Sequence, residues 1–92
     1  MAQKKRVSKG ELKKLLIDNS ILDGINQGLY VPVVNDNSPS NKIRRGRSLI
    51  ISYYLVGQYV CTKHELRTNK GVVKHQDVET VVIGDTRYDR LD

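Results

Sequence analysis

The sequence predicts a mainly β, α+β fold: an N-terminal helix, then about five antiparallel strands forming a small SH3-, Sm- or OB-like barrel or a curled sheet. Three observations predict it. Ser8 and Glu11 stand in capping-box spacing ahead of Leu12, Leu15, Leu16 and Ile17. From Ser48 to Cys61 the apolar residues recur at strand period. The other apolar runs are short and separated by Gly, Asn and Pro turn signals.

Residues 1–7 read as a flexible basic arm. The helix then starts at Ser8, with its leucines at helical spacing and Lys9, Lys13 and Lys14 on the wet side. Lysines in a first turn oppose the helix dipole, so these charges point to a role outside the helix. Asn19-Ser20 ends it, and Ser20 with Asp23 caps a second short turn through Ile21, Leu22 and Ile25. Leu29 to Asn35 reads as a strand, placed at an edge or bulge by Pro32. Residues 35–41 are loop chemistry throughout.

Between Ser48 and Cys61 the odd positions are apolar and the even ones mixed. Tyr53 and Tyr59 fall on the apolar face, while Tyr54 is the candidate for an outward ring. Fourteen extended residues would span roughly 45 Å, too long for a straight strand here, so the chain should bend or break, at Gly57. Thr68-Asn69-Lys70-Gly71 signals a hairpin turn with two competing registers. A two-residue Asn69-Lys70 turn sets Leu66 against Val73, Glu65 against Lys74 and His64 against His75. A three-residue turn closed by Gly71 sets Leu66 against Lys74. Cross-strand chemistry favours the first and turn chemistry the second, with a lean to the first. Val78 to Gly84 reads as a central final strand, and 85–92 as a polar tail.

The 92 residues hold one domain, 8–84, between the arm and the tail. Such a domain buries about 60–65% of its unfolded surface, and with no Trp and no Phe its core is thin, which favours self-association. One cysteine leaves no intramolecular disulfide and points to a reducing, cytoplasmic location. No apolar run reaches about 18 residues, so no membrane partner is expected.

Val72-Val73-Lys74-His75 ahead of Val81-Val82 is similar, over about a dozen residues, to the bacterial Sm-like RNA chaperones, which also place a helix before five strands. The upstream spacing departs from that family and its first signature motif is missing, so no family is assigned.

Cys61, His64 and His75 invite a metal reading, but zinc needs about four converging ligands, and Cys61 and His64 on one strand point to opposite faces. No nucleophile–base signature, paired acids or phosphate-binding glycine loop appears, so neither an enzyme nor a cofactor is expected. The functional signal is charge. The net +6 is concentrated in residues 1–14 and 42–47, and the rest of the chain is net acidic. Lys42, Arg44, Arg45 and Arg47 offer ammonium and guanidinium groups to phosphate oxygens, and Gly46 permits close backbone approach. With Lys4, Lys5, Arg6 and Lys9, and Tyr54 as a stacking ring, they predict a non-enzymatic nucleic-acid-binding module, RNA or single strands favoured. The alternative is an assembly or accessory protein that self-associates or docks on a larger acidic partner.

Overall fold

The computed structural model describes residues 3–36 and 46–91. The elements run β1 (Gln3–Val7), α1 (Lys9–Asp18), α2 (Ile21–Asn26), β2 (Val31–Asp36), β3 (Arg47–Leu55), β4 (Gln58–Arg67), β5 (Val73–Ile83) and β6 (Thr86–Arg90). The strands form one mixed sheet in the order β1-β6-β5-β4-β3-β2. All neighbours are antiparallel except β1 and β6, which run parallel.

The helix forms where its cap predicts. Ser8 is extended and its Oγ accepts from the Glu11 N–H at 3.2 Å. Leu12 and Leu16 turn inward from α1 and join Ile21 of α2 against Cys61, Val78 and Val81 of the sheet. Leu12, Cys61 and Val81 are wholly buried. Ser20 takes a left-handed conformation at the α1–α2 junction and makes no side-chain cap, where the sequence suggests one.

The sheet is not closed, which corrects the barrel expectation: it stops at β1 on one side and β2 on the other. The physical reason is that the long apolar stretch breaks at Gly57, one of the two outcomes expected there, and reverses on itself. Val56 (φ +48°) and Gly57 (φ +80°) form a two-residue turn, Leu55 pairs with Gln58, and β3 and β4 make a hairpin. Helices, not a second wall of strands, cover the apolar face. Pro32 lies on edge strand β2 and Val78–Ile83 within interior strand β5, as their residue types predict.

The first and last described segments both belong to the sheet. Gln3–Val7, expected as an arm, pairs with Thr86–Arg90, expected as a tail. Among the described residues this makes six strands, one more than the sequence signals, and adds a parallel pair.

Neither predicted register at the second hairpin holds along its length. The Thr68 N–H donates to the Val72 carbonyl at 2.8 Å, and Gly71 (φ +84°) closes a three-residue loop. A shift between Leu66 and Arg67 then sets Leu66 against His75, Glu65 against Gln76 and His64 against Asp77. Turn chemistry decides the loop, and a bulge resets the pairing behind it. Among the described residues no helix is long and apolar enough to cross a membrane.

Candidate nucleic-acid interface

With α1 and α2 on one side, the other face of the sheet carries no helix among the described residues. Strand alternation sends Leu49, Ile51 and Tyr53 of β3 toward the helices' side and Ser52 and Tyr54 to the other. Between Tyr53 and Tyr54 the pairing with β4 slips by one, so Tyr53 faces Cys61 and Tyr54 faces Tyr59. The extra residue, Val60, inverts the alternation. Tyr59, expected on the apolar face, therefore stands beside Tyr54, with ring centroids 5.7 Å apart and planes tilted 60°.

A row of hydroxyls crosses this face. Ser52 Oγ and Thr62 Oγ1 share a hydrogen bond at 3.2 Å, and the Tyr59 hydroxyl bonds the same Thr62 oxygen. On β5, Thr80 Oγ1 donates to Asp89 Oδ1 at 2.9 Å, and Arg87 Nε donates to that oxygen at 3.1 Å. Parallel pairing places Lys4 beside Arg87 and Arg6 beside Asp89. Burial works to raise the Asp89 carboxyl, but the bonds from Thr80 and Arg87 and the charges of Arg87 and Lys4 outweigh it and hold it below its ordinary value. Burial pushes the Tyr59 hydroxyl up, so it stays protonated and available as a donor.

The predicted site residues divide. Lys4, Lys5 and Arg6 are exposed on β1, with Lys4 and Arg6 on the helix-free face and Lys5 on the side of Tyr88. Tyr54 is half-buried against Tyr59. Lys9 is bound to Asp77, Nζ to Oδ1 2.6 Å, and Arg47 donates to Asp36 through Nε at 2.8 Å. Each of those two charges is offset by a carboxylate of the protein itself. Lys42, Arg44 and Arg45 lie outside the described residues. Arg47 on β3 and the cations of β1 are four strand spacings apart, about 19 Å across the sheet. Gly46 serves the fold: a Cβ there would sit 2.1 Å from the Arg67 carbonyl oxygen.

Arg87 and Tyr59, which the pairings place on this face, are not among the residues the sequence marks for it. The alternation in Thr86-Arg87-Tyr88-Asp89-Arg90 was the available signal for a strand with Arg87 and Asp89 on one face. Cys61 lies in the core, where burial pushes its thiol up to about 11, and His64 Nε2 is 2.5 Å from Ser48 Oγ. Among the described residues no group of three or more His, Cys, Asp or Glu is arranged to hold a metal ion. No family model, curated protein or solved structure matches this chain.

Proposed function

We propose that the protein is a small, non-enzymatic, cytoplasmic module that binds RNA or single-stranded nucleic acid across the helix-free face of its sheet. The carrying observation is that Lys4, Arg6 and Arg87 share that face with the Tyr54–Tyr59 pair. Cations on one side neutralise phosphates, and tyrosine rings two to four strands away receive unstacked bases. An open sheet suits a splayed single strand better than a duplex, whose grooves call for an inserted helix or ribbon. Arg47 and Lys9 are paired with carboxylates and contribute less than their charge suggests; Arg87 shares Asp89 in the same way and contributes as phosphate displaces that carboxylate, while Lys4 and Arg6 flank it on the same face.

The experiment is a titration of a fluorescent single-stranded oligonucleotide at several salt concentrations. Affinity should fall steeply with salt, and Arg6→Gln with Arg87→Gln should flatten the slope by about one per cation removed. Tyr54→Ala and Tyr59→Ala should weaken binding at every salt concentration, by about 1–3 kcal/mol per stacked base lost. Absence of binding at about 50 mM salt ends the proposal.

One observation favours assembly as a second reading. The β1 edge carries Lys4, Lys5 and Arg6, which discourage strand pairing, whereas the β2 edge exposes Val31, Val33 and Val34. A discrete, nucleic-acid-free oligomer in light scattering, lost on Val33→Lys, would support it.

A further inference from the structure

We propose that the cleft between the helices and strands β4 and β5 binds a small amphipathic anion, an alkyl chain bearing a carboxylate. The cleft lies on the helix side of the sheet and is independent of the nucleic-acid reading. Its volume is about 380 Å³, within the range of small-molecule sites. Leu16, Leu22 and Val78 form an apolar lining, and Ile17 belongs to it although 61% of that residue is exposed.

Two lysines line the same space. Lys13 is exposed on α1, and Lys63 lines the cleft from β4 with only 8% of its surface exposed. Lys63 Nζ donates to the neutral amide oxygen of Gln76, Oε1, at 2.6 Å. Among the described residues it has no carboxylate within ion-pair distance. The carboxylate nearest along its strand face, Glu65, is bound to Arg67 at 2.6 Å, and residues 37–45 contain no Asp or Glu. An ammonium has three protons to donate, and burying it without a counter-charge is costly. A carboxylate entering the cleft supplies that counter-charge from outside.

The lining selects the rest of the ligand. A cationic amphiphile meets Lys13 and Lys63 with like charge. A neutral alcohol fills the apolar part but leaves Lys63 uncompensated. A sugar phosphate sets its hydroxyls against Leu16, Leu22 and Val78, where they find no partners.

The test titrates the full chain with sodium decanoate below its micellar concentration, with decanol and decyltrimethylammonium as chain-matched controls. Thermal unfolding and backbone amide NMR shifts are read together. Decanoate should raise the melting temperature saturably and shift amides in 13–22 and 63–78, and neither control should match it. Ile17→Glu sets a carboxylate at an exposed position of the lining and should weaken decanoate binding by about tenfold or more with the fold intact. Lys63→Met should narrow the preference for decanoate over decanol to what the exposed Lys13 alone supplies; if that variant does not fold, Ile17→Glu decides alone. No saturable response to about 1 mM decanoate, amide shifts elsewhere, or an Ile17→Glu variant that binds as the parent does would each overturn the proposal.

Discussion

Lys9, in the first turn of α1, reaches down to Asp77 of β5, its Nζ 2.6 Å from Oδ1. The same carboxylate accepts His75 Nε2 at 2.7 Å and lies 3.6 Å from Arg90 Nη1. One acid thereby collects Lys9 of α1, His75 of β5 and Arg90 of β6 and pins the start of the helix to the sheet. It also explains a cation in a helix first turn, where the dipole alone disfavours it.

Asp77 contributes to the acid limit of stability. The bonds from Lys9 and His75 hold its carboxyl at about 2, against an ordinary 3.8. The folded value is below the unfolded one, so the contribution is complete above 3.8 and lost as pH falls toward 2. Urea unfolding between those limits should show stability declining with acid, and Asp77→Asn should be less stable at neutral pH and flatter over that window. A parallel decline in the variant would refute this role.

The β3–β4 turn is strained. Val56 holds a positive φ of +48° with 93% of its surface exposed. A β-branched residue in that region costs about 1–3 kcal/mol, and this side chain gains almost no burial in return. Val56→Asn gives the Asn-Gly pair that such turns favour and should stabilise the domain by about 1 kcal/mol in chemical denaturation. A loss of stability would show that the turn is held by something other than its own backbone preference.

How far the sequence was legible follows from how local each signal is. Ser8 capping Glu11 and the inward Leu12 and Leu16 lie within a few residues of one another, and α1 forms as they predict. Leu49, Ile51 and Tyr53 show one face of β3 directly. The pairing of Gln3–Val7 with Thr86–Arg90 has no local signature: the partners are at opposite ends of the chain and mostly polar. Tyr59 was misplaced because the extra residue at Val60 inverts the alternation, and only the pairing with β3 fixes that slip. The helix-free face was illegible for the same reasons, since Arg87, Lys4 and Tyr59 meet there through those pairings.

Gly46 allows the chain to enter β3. Its φ is +107°, and an added Cβ would meet the Arg67 carbonyl oxygen at 2.1 Å. Backbone atoms on both sides leave little room to yield. Gly46→Ala should destabilise by more than about 1 kcal/mol, whereas Gly71→Ala, strained but spatially open, should cost less. Equal losses in thermal unfolding would contradict the close approach.

Cys61 should be chemically silent in the folded protein. It is fully buried, and burial pushes the thiol to about 11 from 9.0. The thiolate, the reactive form, is therefore disfavoured only in the folded state. The associated stability is present below 9.0 and lost as pH rises toward 11. Labelling by a thiol reagent at neutral pH should proceed at the rate of unfolding and accelerate with urea. Rapid labelling without denaturant would show that the core opens locally.

Asp89 separates a functional face from a merely charged one. It neighbours Arg6, takes hydrogen bonds from Thr80 and Arg87, and places a negative charge among Lys4, Arg6 and Arg87. A phosphate arriving there competes with that carboxylate for Arg87 and is repelled by it. Asp89→Asn removes the charge while keeping an oxygen that accepts from Thr80. If a nucleic-acid strand crosses this face, the variant should bind about three- to tenfold more tightly and lose affinity with salt more steeply, by about one extra counterion. Arg47→Gln, three strand spacings or about 14 Å away across the sheet, should change neither quantity by as much. Unchanged or weaker binding by a folded Asp89→Asn protein would place the contacts elsewhere.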